Sequence, residues 1–192
     1  MFSCRDKKSK ILAKILLENP KKSRFDISIT LACAIPKKAK IDYIIEKCTE
    51  LGIDRIIPII TERTIVRFTT EKAENRHKRW QKISQEASKQ CGRIKFPLIE
   101  QVLNFNKAIE KAGEYDLALI PNLEPKNKSL KDTIHGFSGK SIIAFIGPEG
   151  DFTKAEVELA KKNGCIGVSL GELVLKVDTA ALGLTAFLRL GL

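Results

Sequence analysis

The chain has 192 residues, 43% of them hydrophobic and 30% charged, and carries a net charge of +11. That composition excludes a mainly disordered chain, and no run of about 18 apolar residues is present to form a transmembrane helix. The length fits one domain, or one domain with a small appendage. Residues 1–100 hold 23 Lys/Arg against 12 Asp/Glu, whereas residues 101–192 hold 11 of each. A basic excess confined to one half is the electrostatic footprint of a polyanion binder, nucleic acid before others. The five cysteines are scattered and never form a CxxC pair. They fit a reduced, cytoplasmic setting, and no ligand spacing points to a metal. The first ten residues, MFSCRDKKSK, lack an apolar signal core, so secretion is not expected.

In chain order, Ile11–Leu17 reads as a strand or a helical turn, and Phe25–Cys33 as a half-buried strand because its middle alternates apolar and polar residues. Past Pro36, residues 37–51 carry Ile41, Ile44, Ile45, Cys48 and Leu51 at helical spacing, with Gly52 as the stop. Arg55–Thr61 is a β-branched strand of the buried parallel kind. Glu71–Cys91 is a long basic helix in which Trp80 could stack on a base. Ile83 and Ala87 at i+3 and i+7 argue instead for a core tryptophan.

A helix over Asn104–Ala112 and a strand over Leu117–Ile120 come next, then a looser segment from Glu124 to Gly139. Strand Ile142–Ile146, helix Thr153–Asn163, strand Ile166–Leu170 and a last helix over about 178–190 complete the chain. Strands alternating with helices imply an α/β fold with a parallel sheet.

Neither a P-loop, nor a GxGxxG cradle, nor a GxSxG elbow occurs. The strongest local signal is IIAFIGPEGDF, residues 142–152, followed by Thr153-Lys154-Ala155-Glu156 as a capping box. A buried strand, a tight glycine loop and a helix follow one another, the arrangement over which parallel sheets bind ligands. Glu149 is the loop's exposed carboxylate; the plainer reading is a βα turn with a demanding glycine. Glycine-bearing loops also follow the strands ending near Ile120 and Leu170, and three loops at one sheet edge form one pocket.

IIEKCTELG (44–52), RWQKISQEASKQCGR (79–93), FIGPEGDFTKAE (145–156) and VSLGELVLKVDTAAL (168–182) together resemble the bacterial RsmE family of 16S rRNA uridine-N3 methyltransferases. The resemblance runs from about residue 25 to the end. It implies a SPOUT-class α/β sheet with a C-terminal trefoil knot, and a homodimer acting on 16S rRNA in the 30S subunit. It also implies S-adenosylmethionine bound in three loops: Ile120, Pro121 and Asn122; Ile146, Gly147, Glu149 and Gly150; Leu170, Gly171 and Leu175.

The same resemblance makes residues 1–34 a small N-terminal β remnant of a PUA-like domain and 35–192 the knotted domain. Glu149, Lys176 and Asp178 are the catalytic candidates, with Asp178 also read as the N-cap of the last helix. Arg79, Lys89 and Arg93 are candidates for holding RNA. The chain departs from the family pattern where the second loop glycine becomes Asp151, and where Leu173, Lys176 and Asp178 replace two arginines and a glutamate. Those changes keep open a non-catalytic RNA-binding protein, or a SPOUT methyltransferase of another RNA.

Overall fold

A computed structural model describes residues 26–37, 40–66 and 69–192. The run Ile11–Leu17 and most of the expected N-terminal segment lie outside these residues. The elements are β1 (Ser28–Ala34), α1 (Lys40–Glu50), β2 (Arg55–Ile60), α2 (Thr70–Gln90), β3 (Leu98–Ile99), β4 (Leu103–Asn104) and α3 (Phe105–Ile109). They continue as β5 (Leu117–Pro121), β6 (Lys128–Ser129), α4 (Leu130–Ile134), β7 (Ser141–Ile146), α5 (Lys154–Lys162), β8 (Ile166–Ser169) and α6 (Val177–Gly191).

The strands form one sheet in the order β3-β2-β1-β7-β5-β8-β6, with β4 also on β2. The pairings are parallel. Successive side chains of each strand enter opposite layers. Ile29, Leu31 and Cys33 of β1 join Ile142, Ala144 and Ile146 of β7 beneath α1, α2, α4 and α6. Ala32 and Ala34 join Ile143 and Phe145 beneath α3 and α5. Each buried isoleucine contributes roughly 1.5–3 kcal/mol of transfer free energy, and this double covering makes the sheet the core.

Three sequence expectations change. β1 is not half-buried: Thr30 is 1% exposed, because helices cover both faces of the central strand. β1 pairs with β2 on one side and β7 on the other, so the sheet begins before residue 35. The segment 124–139 is not all loop, since β6 and α4 lie inside it and Ser129 caps α4 by accepting from the Asp132 N–H at 3.0 Å.

Other elements move only at their ends. α1 starts at Lys40 rather than Lys37, whose N–H is instead held by Glu149 at 2.9 Å. Gly52 does stop α1, at φ 97°, a conformation that glycine adopts without steric penalty. The expected helix 104–112 becomes α3 and then a 3-10 turn over Glu110–Glu114.

Candidate active site

β5, β7 and β8 end at the same edge of the sheet, and the loops after them enclose a cavity of about 460 Å³. One wall is Pro121–Pro125 with Asn127, the second Ile146–Asp151, and the third Ser169–Leu175; Val177 and Ala180 of α6 close the floor. A volume of this order suits a drug-sized ligand, and loop backbone supplies polar groups around an apolar floor.

The first wall is fixed from within. Asn122 is 9% exposed. Its Nδ2 donates to the Ile120 carbonyl at 3.0 Å, while its Oδ1 accepts from the Glu124 N–H at 3.0 Å and Asn127 Nδ2 at 2.8 Å. Gly167 leaves room for this pair, since a Cβ there would stand 2.5 Å from Asn127 Oδ1.

The second wall is fixed at both ends. The capping box forms, with Glu156 Nα–H donating to Thr153 Oγ1 at 3.3 Å and Thr153 N–H to Glu156 Oε2 at 2.9 Å. Such a cap is worth about 1 kcal/mol. The other oxygen of Glu156 accepts from the Glu62 N–H at 2.9 Å, tying the β2–α2 loop to α5. Arg63 of that loop donates to the Gly150 carbonyl. Glu149 is exposed, with Oε1 on the Lys37 N–H. Asp151 lies in the left-handed region at φ 60°, a conformation that costs a side-chain-bearing residue roughly 1–2 kcal/mol.

The third wall is the least constrained. Ser169 Oγ donates to the Gly171 carbonyl at 3.1 Å, and beyond it Leu173 and Val174 are 79% and 77% exposed.

Of the residues expected around a cofactor, Pro121, Asn122, Ile146, Gly147, Glu149, Gly150, Leu170, Gly171 and Leu175 line this cavity. Ile120 does not; it is fully buried in the sheet core and faces α3 and α5. Lys176 is exposed and is the N-cap of α6 without a side-chain cap bond, so Asp178 is not the cap. Asp178 is the second residue of α6, within its first turn, 3.3 Å from Lys40 Nζ of α1. Partial burial pushes its carboxyl up, but hydrogen bonds from its own N–H and from Lys40 outweigh that and hold it below the ordinary carboxylate range.

The RNA candidates lie away from the cavity. Arg79 Nη2 is 2.7 Å from Asp42 on α1, and Lys89 Nζ is 3.0 Å from Glu86. Trp80 is fully buried, its Nε1 donating to Asp42 Oδ1 at 3.0 Å, as the core reading requires. Arg93 is taken up by structure: Nη1 donates to the Thr49 and Ile53 carbonyls at 3.0 and 2.7 Å. Burial pushes the Cys48 and Cys165 thiols up to about 12, which leaves them inert as nucleophiles. Among the described residues no cluster of His, Cys, Asp or Glu could hold a metal, and no helix is long and apolar enough to cross a membrane.

Sequence reasoning missed Asn127, Gly167, Glu62, Arg63 and Lys40. Each acts through a partner distant in sequence or through a close approach, and neither leaves a local pattern.

A ligand cavity over the carboxyl edge of a parallel α/β sheet defines an α/β domain that binds a small ligand there. The RNA methyltransferase domain family matches residues 23–189, and the chain belongs to that family. Within it the chain is similar to Ribosomal RNA small subunit methyltransferase E of Bacillus subtilis, 30% identical over 183 residues, which are 91% of this chain and 70% of that protein. The Synechocystis protein of the same name is 34% identical over 88% of this chain and 55% of its own length. The solved structure of the Neisseria gonorrhoeae protein of that name, bound to S-adenosyl methionine, superposes with a TM-score of 0.77 at 31% identity. It is covered over 66% of its length, against 85% of this chain. The resemblance read from the four sequence blocks therefore holds.

Proposed function

We propose that the chain methylates N3 of a uridine in 16S rRNA with S-adenosylmethionine as donor. The observation that carries this is one cavity closed by three strand-end loops in a chain similar to a protein solved with that cofactor. Backbone groups of Pro121–Leu123, Gly147–Gly150 and Gly171–Leu175 would hold the cofactor, which supplies an electrophilic methyl group when bound. Alignment of the reacting atoms in such a site can lower the barrier by up to about 7–11 kcal/mol.

Glu149 is the exposed carboxylate at the rim, and its tether to the Lys37 N–H keeps one oxygen engaged while the other is left for the imide proton. Lys176 would steady the uracil oxygens or a phosphate. Asp178, paired with Lys40, would orient that lysine's end of the site. Arg79 and Lys89 are exposed on α2 and would meet RNA phosphates; Arg93 is left out, because its donors already serve carbonyls.

The loops after β5, β7 and β8 would carry the trefoil knot, with α6 returning beneath them. Phe187 and Leu190 of α6 and Tyr43 of α1, 40%, 85% and 48% exposed, support a homodimer that covers them. Four free cysteines among the described residues fit a cytoplasmic setting.

The test is incubation with radiolabelled S-adenosylmethionine and 30S subunits lacking the modification, with the cofactor's affinity measured by calorimetry alongside. Label appearing at N3 of a 16S uridine is the expected result. Cofactor binding without transfer would favour the RNA-binding reading that the exposed Leu173-Val174 loop keeps in play.

A further inference from the structure

Asp151 is the one non-glycine residue among those described with a positive φ. A side-chain-bearing residue stays in that region where its surroundings over-determine it, and such positions gather at ligand sites. The surroundings are specific. Its N–H donates to the Pro148 carbonyl at 3.0 Å. Oδ1 accepts from the Phe152 N–H at 2.8 Å, and Oδ2 accepts from the Leu123 N–H at 3.2 Å.

Leu123, Gly147 and Asp151 all line the cavity. One carboxylate thus fastens the loop after β5 to the loop after β7, two of the three walls. It cannot readily swing away. Phe152 next to it is 5% exposed and packs on Phe105 with ring centroids 5.2 Å apart. A Cβ on Gly147 would stand 3.2 Å from the Phe152 ring and 3.3 Å from Asp151 Oδ1, so the loop is folded tightly over its own glycine.

We infer that Asp151 is a positioning residue that sets cofactor affinity by latching these two loops together before the ligand arrives. The inference rests on reading the cavity as the S-adenosylmethionine site. A pocket walled by loops loses affinity to the entropy of ordering them, and a latch already closed in the free protein removes part of that cost. Glycine would occupy this φ with less strain, so the carboxylate improves the pocket at the expense of the backbone. Affinity and stability therefore separate at this position, which they would not do at a merely structural residue.

Calorimetric titration of S-adenosylmethionine and S-adenosylhomocysteine into the wild type, Asp151→Gly, Asp151→Ala and Asp151→Asn tests it. Asp151→Gly is expected to bind about tenfold more weakly, equivalent to about 1.4 kcal/mol. Its Tm should stay within about 3 °C of the wild type, the shift that roughly 1 kcal/mol produces at this chain length. KM for the cofactor should rise by more than kcat falls. Asp151→Asn tolerates the left-handed conformation and keeps one acceptor oxygen, enough for the Leu123 N–H but not for the Phe152 N–H as well, and should bind more tightly than the Gly variant and more weakly than the wild type. Gly and Ala variants that bind as tightly as the wild type would sink the inference, and so would an Asn variant as weak as the Gly variant, because the Leu123 bond that Asn can still accept would then contribute nothing. A wild type that binds neither ligand overturns the reading of the cavity itself.

Discussion

At the amino edge of the sheet, two arginines close around Asp54, whereas the carboxyl edge leaves its backbone open around a cavity. Arg189 of α6, with a side chain 5% exposed, donates to the Ile27 carbonyl at 2.8 Å, the Gly52 carbonyl, and Asp54 Oδ2 at 2.8 Å. Arg93 reaches Asp54 Oδ1 at 3.6 Å, and the Ile29 N–H donates to Asp54 Oδ2 at 2.9 Å. Nearly every polar group there has a protein partner. Over the cavity, Glu149, Gly150 and the stretch from Gly171 to Lys176 are exposed. Charged side chains are structural at one edge and available at the other. What separates them is whether nearby carbonyls and amides are already paired, which no residue identity reveals.

The largest effect expected to sharpen this contrast is at Glu149. Glu149→Gln keeps an acceptor for the Lys37 N–H but cannot take a proton. We expect kcat to fall about 10²–10⁴-fold, the usual worth of a positioned acid or base, with Tm and cofactor affinity little changed. A methyl-transfer assay with matched calorimetry checks it. If the rate survives, Glu149 only shapes the loop.

Arg189→Ala should do the reverse. It removes a nearly buried cation from Asp54 and two carbonyl acceptors, at a cost of about 3 kcal/mol. That lowers Tm by roughly 6–12 °C at this length. Below the transition, cofactor affinity should match the wild type. A loss of affinity in the folded variant would mean that the two edges are energetically coupled.

The smallest effect lies at the pair joining α1 to α6. Because the Asp178 carboxyl is held below its ordinary 3.8, its contribution is present above that pH and lost as pH falls through the lower folded value. Asp178→Asn should therefore flatten the acid limb of Tm against pH below about 4, and cost no more than about 0.5 kcal/mol at neutral pH. An unchanged acid limb would show that the Lys40 pair contributes nothing.

The alternation of strands and helices was legible because apolar periodicity is local, and so was the capping box at Thr153–Glu156, whose signal spans four residues. The half-buried reading of β1 failed at Thr30, which looks solvent-facing although a small threonine fits a doubly covered strand; Ser28, at the strand's start, is exposed. β6 and α4 were missed because two and five residues are too short to show a period. Arg93 read as an RNA residue because its carbonyl partners lie 40 and 44 positions away. The three loops could be placed from strand ends alone, but the bonds that shape them, Asn127 to Asn122 and Asp151 to Leu123, exist only once the sheet has brought the strands together.

The position of β1 also governs the order in which the molecule can be made. Its first neighbour, β2, follows closely, but its second begins only at Ser141, which pairs with Ser28. A growing chain therefore carries β1 with one edge open until Ile146 has emerged. β1 and β2, with only the two-residue β3 and β4 beside them, make a marginal sheet, and an open edge is a template for pairing with another chain. The long loop must close before the central contacts reward it, so assembly is concentrated in one late, non-local step. The wall built from residues 169–175 comes later still. No nascent chain that stops short of Ala180 can enclose the cavity, so the site can close only when nearly the whole chain has been made.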